Sequence, residues 1–384
     1  MSKIRVVHLI ESLGVGGAER RLVSDLRWFN RDRYDHRVIY LTPDDTLRGE
    51  IEAIGIPTQW LGMRHLRDWQ VGIFRLAALL RQWRPHLVHT QVFGADLYGR
   101  LASAMAKVPL VLSTIQTVPY DQRLARFYSK KRWLADRVTA RLYTHHFIAV
   151  SEAVRGTLLD RFGVPPSRVH VIPNGVDLTR LSPQPSWRTA VRAELGLAEE
   201  QFVVLSVGRL IPEKDHATLL QAFRLTVDRL PQARLLLAGD GPLREQLERS
   251  LIELKLQGRV RFLGTRLDVD RLYQAADLFV LSSLREGLPV SLLEAMACEV
   301  PVIASAIPQH REVIKDGAMG RLFSPQQPQR LAEAIRDLLQ HPLEAKQMAQ
   351  QARTTVVERF SAQAVAQQLQ KLYDGLCLGD GSHA

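Results

Sequence analysis

Apolar positions fall along this chain in short unbroken runs, separated by longer stretches where they recur every three or four residues. Runs of the first kind lie at 4–10, 36–41, 87–90, 110–113, 147–150 and 169–172. Such runs, rich in Val, Ile and Leu, predict strands buried on both faces. Helical patterns lie between them, as at 19–28 and 73–83. The sequence Pro173-Asn-Gly-Val-Asp177 then opens a stretch with Pro183 and Pro185, which is turn and linker chemistry. A second alternation follows, with runs at 202–207, 234–238, 260–263, 278–281 and 302–304 and an amphipathic helix at 362–376. Strand–helix alternation of this kind gives a parallel sheet covered on both faces. With 384 residues the chain is long enough for two such units. The expected division is an α/β chain of two Rossmann-like domains, 1–175 and 176–360, with 361–384 as a terminal helix and tail. Ligands in such sheets bind at the carboxyl ends of strands, so two facing domains imply a site in the cleft between them.

The stretch Ser283-Leu-Arg-Glu-Gly-Leu-Pro-Val-Ser-Leu-Leu-Glu-Ala-Met-Ala297 carries the densest chemistry. A strand runs into a turn holding Glu286, Gly287 and Pro289, and a helix begins near Val290. Pro suits a first helical position, Gly allows close approach of a ligand, and a helix N-terminus attracts anions. Glu294 lies in a helix that is apolar nearly all round, so its carboxylate needs donors. Ligand hydroxyls or neighbouring backbone would serve equally. Strand 202–207 ends in Gly208-Arg-Leu-Ile-Pro-Glu-Lys214. There Arg209 offers a planar fork and Lys214 a point charge suited to a diphosphate, with surface pairing to Glu213 or Asp215 as the plainer alternative. Gly239-Asp-Gly-Pro242 and Phe262-Leu-Gly264 are turns fit to line a base pocket. The first turn, Gly14-Val-Gly-Gly-Ala-Glu-Arg20, has Glu19 where a dinucleotide fingerprint needs its third glycine, and 37–41 runs into Thr-Pro rather than an acid. A nicotinamide site is thereby excluded.

Composition narrows the class further. Hydrophobic residues make up 46% and charged residues 24%, with no run of about 18 apolar residues to span a membrane. The first strand follows the N-terminus directly, which reads as structure rather than a signal peptide. Cys298 and Cys377 alone give no disulfide framework and point to a reducing cytoplasm, and no Cys/His cluster has metal-ligand spacing. The net charge of +11 is uneven: residues 1–170 hold 26 Lys+Arg against 15 Asp+Glu, whereas 171–384 hold 25 of each. The segment 123–141 interleaves seven cations with Leu, Phe, Tyr and Trp. Arg126, Lys130, Lys131, Arg132 and Trp133 make it a candidate for peripheral contact with an anionic membrane, where each cation contributes about 1 kcal/mol. The alternative is a helix packing its apolar side on the first sheet. No nucleic-acid recognition module accompanies these charges.

Gly16-Gly-Ala-Glu, Pro173-Asn-Gly-Val-Asp, Gly208-Arg with Lys214, Gly239-Asp-Gly-Pro, and Glu286 separated by seven residues from Glu294 occur in that order. Together they resemble the retaining nucleotide-sugar glycosyltransferases of family 4, with the GT-B fold, over nearly the whole chain. Bacterial members that build surface polysaccharides are the nearest in pattern. The resemblance implies a terminal helix crossing back to the first domain and transfer from a UDP- or GDP-sugar to a glycan or lipid-linked acceptor, with no bound metal or other cofactor. It implies that Arg209 and Lys214 hold the donor diphosphate and that Glu286 contacts the donor sugar. Glu294 would accept from ribose hydroxyls, while Gly287, Leu288 and Pro289 frame the phosphates. Gly16 and Gly17 would let the first domain close on the donor. The cysteine usage and the basic segment add the expectation of a cytoplasmic enzyme docked peripherally on the inner membrane face. The sequence departs from the family where many members carry a histidine: Gln116 stands there, and Gln91 where a second is common. Glutamine bonds a hydroxyl but takes up no proton. A catalytically silent nucleotide-sugar binder is therefore the alternative reading, and an epimerase on the same fold a third.

Overall fold

The computed structural model describes residues 3–65, 68–117 and 130–378. The chain divides into two compact units, 1–175 with 362–384, and 176–361. In the first, seven parallel strands run β1 (Ile4–Ile10), β2 (Tyr34–Tyr40), β3 (Thr58–Trp60), β4 (Leu87–Gln91), β5 (Leu110–Ile115), β6 (His146–Ala149) and β7 (Val169–Val171). Their spatial order is β3-β2-β1-β4-β5-β6-β7, so the winding reverses between β1 and β4. Every residue of β4 is buried, the pattern of a strand covered on both faces.

The terminal helix Ala362–Leu378 belongs to this first unit. Its Val365, Leu369 and Tyr373 pack with Ile4, Val6, Phe29 and Leu112. Asp374 accepts from the Tyr34 hydroxyl at 2.5 Å and from Arg33 Nε at 2.7 Å. Beneath the helix lies a polar layer unusual for a sheet core. His89 bonds the Tyr373 hydroxyl through Nδ1 (2.5 Å) and Thr114 Oγ1 through Nε2 (2.6 Å). His8 Nε2 lies 2.9 Å from His36 Nδ1. His89 is a structural residue of the core.

The second unit has six parallel strands: β8 (Val203–Val207), β9 (Arg234–Ala238), β10 (Val260–Gly264), β11 (Leu278–Leu281), β12 (Val302–Ser305) and β13 (Arg321–Phe323). The order β10-β9-β8-β11-β12-β13 reverses between β8 and β11. One core joins Leu235, Leu237, Val280 and Ile303 of the sheet to Leu219, Leu220 and Phe223 of the helix His216–Val227. At such a reversal the loops leaving the two central strands diverge to opposite faces and open a crevice. Those loops are residues 208–215 and 282–289. The sequence motifs sit there.

Candidate active site

The loop after β8 is held open by its neighbours. Gly208 N donates to Ala238 O (2.9 Å), Leu210 N to Asp240 O (2.9 Å), and Gly239 N to Gly264 O (2.8 Å). Gly239 has φ +136, and a Cβ there would overlap the Gly208 carbonyl oxygen. Only glycine fits both demands. The result points Arg209 outward, exposed and without a protein partner among the described residues. Phe262 lies half-buried on β10, two strands from β8, with the Arg244 guanidinium 5.5 Å from its ring centre.

Lys214 follows in a 3-10 turn, and Asp215 at φ +46 caps the next helix by accepting from Thr218 N. Asp215 and Glu213 are therefore occupied elsewhere: Glu213 pairs with Arg285 at 3.4 Å. Lys214 reaches instead across the reversal. Its Nζ lies 2.5 Å from Glu286 Oε1, and the two side chains are 17% and 11% exposed. Ser283 Oγ donates to the same oxygen at 2.6 Å. Ser282 Oγ ties the two loops together by donating to Lys214 O and Asp215 O, each 2.9 Å. Burial alone would raise the Glu286 pKa; the Lys214 charge leads the effects that outweigh it, and the carboxyl is held below its ordinary value. A carboxylate and an ammonium are thus fixed side by side at the strand ends.

Gly287, Leu288 and Pro289 are buried and lead into the helix Val290–Ala297, which has Pro289 at its N-cap in extended conformation. Glu294 is half-buried there, and its Oε2 accepts from the Tyr273 hydroxyl at 2.9 Å. The donor that the apolar helix demanded is thus supplied by a tyrosine of the helix Val269–Ala275. Ser283, Ser305, His310 and Tyr273 are the site residues that sequence reading missed. Ser283 opens the stretch 283–297, where the sequence alone assigns it no role; no local motif marks the other three, because their roles depend on which elements become neighbours.

In the first unit Gly16 caps the helix Gly17–Trp28, and the Glu19 carboxylate folds back against it. Gln91 and Gln116 sit at the ends of β4 and β5. Gln91 Oε1 and Gln116 Nε2 are buried and unpartnered among the described residues. Val92 follows at φ +71, a strained conformation for a β-branched residue.

The basic segment corrects one expectation. Arg126, with Leu124 and Phe127, lies outside the described residues. Lys130, Lys131, Arg132 and Trp133 open the helix Lys130–Tyr143, where Trp133 is half-buried with Arg137 5.3 Å over its ring. The face this helix buries is polar. Asp136, Thr139 and Ala140 turn inward, and Asp136 pairs at 2.5 Å with Arg100, itself 1% exposed. Leu134, Val138 and Leu142 turn outward, so among the described residues this helix does not pack its leucines on the first sheet.

Two doubly wound parallel units, the second with a Lys–Glu pair and an exposed arginine at its strand reversal, have the architecture of the GT-B fold. Residues 188–355 match the family model for glycosyl transferases group 1, and residues 15–180 that for glycosyltransferase family 4. The D-inositol 3-phosphate glycosyltransferase of Geodermatophilus obscurus is 38% identical over 79% of this chain and 70% of its own. The UDP-Gal:alpha-D-GlcNAc-diphosphoundecaprenol alpha-1,3-galactosyltransferase of Escherichia coli is 27% identical, covering 84% of each chain. A crystal structure of Anabaena HepE in complex with UDP and glucose aligns with a TM-score of 0.85 at 25% identity, covering 97% of this chain and 100% of that one. The chain belongs to glycosyltransferase family 4.

Proposed function

We propose that this enzyme transfers a sugar from a nucleotide-sugar donor to a glycan or lipid-linked acceptor with retention at the anomeric carbon, in the assembly of a surface polysaccharide or glycolipid. The observation that carries the reading is the Lys214–Glu286 pair beside the free guanidinium of Arg209, at the one reversal of the second sheet. The second unit then takes the donor and the first the acceptor. Arg209 and Lys214 meet the diphosphate. Glu286 binds a hydroxyl of the transferred sugar, and Glu294, braced by Tyr273, accepts from the ribose. Gly208, Gly239 and Phe262 line the base, and Gly287, Leu288 and Pro289 bring backbone to the phosphates. In front-face substitution the bond from the anomeric carbon to the diphosphate breaks and the acceptor oxygen bonds to the same face. The departing diphosphate takes the acceptor's proton. Charge builds on the diphosphate, where the two cations act most strongly. Gln116 joins through its amide or backbone carbonyl, and Gly16 and Gly17 through backbone.

The names of the Escherichia coli relative and of the HepE complex, which specify a UDP-sugar, a lipid-linked acceptor and bound UDP, support this assignment. Slow release of nucleoside diphosphate from a panel of UDP- and GDP-sugars tests it. Arg209→Ala should lower that rate by about 10²–10³. A chain that binds these donors yet never releases nucleoside diphosphate would instead be the silent binder.

The membrane side of the proposal rests on the inside-out helix Lys130–Tyr143. Its outward Leu134 and Leu142 are 54% and 66% exposed, close to basic Lys131, Arg137 and Arg141. Phe74, Met105 and Tyr143 line an apolar groove of about 280 Å³ on the same unit. Exposed apolar residues among cations fit an anionic membrane surface. Among the described residues no helix is long and apolar enough to cross a bilayer. Sedimentation with phosphatidylglycerol vesicles at low salt should carry the protein down, and Leu134→Asp with Leu142→Asp should release it.

A further inference from the structure

Behind Glu286 a line of hydrogen bonds runs to a histidine that no sequence motif marks. His310 is fully buried, on the short helix Pro308–Arg311 after β12. Its Nδ1 lies 2.7 Å from Ser305 O and 3.2 Å from Ser305 Oγ, which fixes the proton on Nδ1, the donor to that carbonyl. Ser305 Oγ in turn donates to the Ser283 carbonyl, and Ser283 Oγ donates to Glu286 Oε1 at 2.6 Å. Lys214 takes the same carboxylate oxygen. Both protein donors therefore converge on Oε1, and among the described residues none reaches Oε2.

We propose that His310 is a positioning residue for the transferred sugar: through Ser305 and Ser283 it sets Glu286 so that Oε1 is committed to the protein and Oε2 is presented to a sugar hydroxyl. The inference rests on the reading of this crevice as the donor site. Three links make the case. The imidazole anchors the end of β12 at Ser305. Ser305 anchors the backbone of Ser283 on the neighbouring β11 loop, a contact between adjacent parallel strands that no residue within the loop can supply. Ser283 then spends its hydroxyl on one carboxylate oxygen. Nε2 of His310 is buried and has no partner among the described residues, so the ring contributes through Nδ1. Burial holds the imidazole pKa down at about 4 against the pull of Glu286, which leaves no second cation beside the Lys214 ammonium at working pH. A neutral, one-sided anchor suits positioning rather than proton transfer.

The experiment uses the full chain with UDP and UDP-glucose as probes. His310→Leu removes the anchor. His310→Asn keeps an N–H where Nδ1 stands, and Ser305→Ala cuts the line one link on. Calorimetric titration gives the affinity for UDP, and release of UDP from UDP-glucose gives kcat and KM. His310→Leu and Ser305→Ala should bind UDP within about twofold of the parent yet lose about 10²-fold in kcat, the scale of a misplaced group. His310→Asn should recover most of that loss, and the pH profile of kcat from pH 6 to 9 should be unchanged in it. Unchanged kcat in Ser305→Ala overturns the inference, whether or not His310→Leu folds. So does an Asn variant as impaired as the Leu variant, or a loss shared equally by UDP binding. A parent enzyme that binds neither UDP nor GDP overturns the donor-site reading itself, and this inference with it.

Discussion

Replacing Lys214 with Met removes one charge and little volume, and its consequences follow from two distances. The ammonium lies 2.5 Å from Glu286 Oε1, and the paired carboxylate side chain is only 11% exposed. Without Lys214, Glu286 keeps the Ser283 hydroxyl and little else. Breaking a fully buried pair by removing one partner costs about 3–5 kcal/mol, and the residual exposure of both groups here brings the expected loss nearer 1–3 kcal/mol. The sign with pH follows from linkage. In the parent, Glu286 has a lowered pKa, so its contribution is present above the unfolded value and lost as pH falls through the folded one. In the variant, burial is opposed only by the Ser283 hydroxyl and His310, so the pKa rises relative to the parent and the carboxyl takes up a proton at a higher pH. The stability gap between parent and variant should thus be largest near pH 8 and shrink toward pH 4. Urea unfolding at both pH values reads it directly. Turnover should fall by about 10²–10³, because the diphosphate loses a preorganised cation as its charge develops. A gap independent of pH, or a Met variant with parental turnover, would refute the reasoning.

Gly239→Ala should destabilise the second unit and lower turnover together, because its Cβ would overlap the Gly208 carbonyl and displace Arg209; near-parental melting and kinetics would contradict this. Tyr373→Phe should cost about 1–3 kcal/mol in urea unfolding, since it strands His89 Nδ1 in the core, and should leave turnover unchanged. Burial pushes His8 down to about 3 and holds His216 and His310 at about 4, while His36 and His89 also lie well below the ordinary value. All five favour neutral forms, so the stability they permit is lost as pH falls from about 6.5 toward 4. Asp25 and Asp96, raised by burial to about 6 and 7, act in the opposite sense but are fewer. The urea midpoint should drop between pH 7 and pH 5, and a flat profile would contradict the neutral core.

Much of this architecture is written in the apolar runs, because a parallel strand covered on both faces needs apolar residues at nearly every position. β11, Leu-Phe-Val-Leu and buried throughout, is of that kind, whereas β4 is equally buried but carries Gln91 together with His89 and Thr90, whose partners lie on other elements. β3 and β13 escaped because each is three residues long, lies at a sheet edge and alternates with polar side chains. The turn motifs around Arg209, Lys214 and Glu286 were legible, since glycine, proline and charge at strand ends have local causes. Their pairing was not. That Lys214 prefers Glu286 to its sequence neighbours follows from β8 and β11 lying side by side, a fact of topology. The same limit applies to His310, Ser305 and Tyr273.

The helix Lys130–Tyr143 shows a different limit. Its apolar and basic positions left two readings open, an apolar face on a membrane surface or one packed on the first sheet, and the buried Arg100–Asp136 pair marks the face that turns in. Asp136 at 2.5 Å is the near partner of an almost completely buried guanidinium whose other partners are Asp96 at 4.0 Å and the Ser113 hydroxyl, and it can serve only if its own face turns in. Burying Leu134 and Leu142 instead would gain about 1.5–3 kcal/mol each, a sum of the same order as the cost, about 3–5 kcal/mol, of removing a partner from a buried pair, so area alone does not choose the face. Interior ion pairs are set by partners far apart in sequence, and periodicity does not see them.

The central claim is that the reversal of the second sheet binds a nucleoside diphosphate through Arg209 and Lys214. Calorimetric titration of the full chain with UDP and with GDP tests it most directly. Saturable binding of one of them at a single site, weakened about 10–100-fold by Arg209→Ala as one set of charge-assisted hydrogen bonds is lost, is the expected result. Binding of neither nucleotide, or binding indifferent to Arg209, would contradict it.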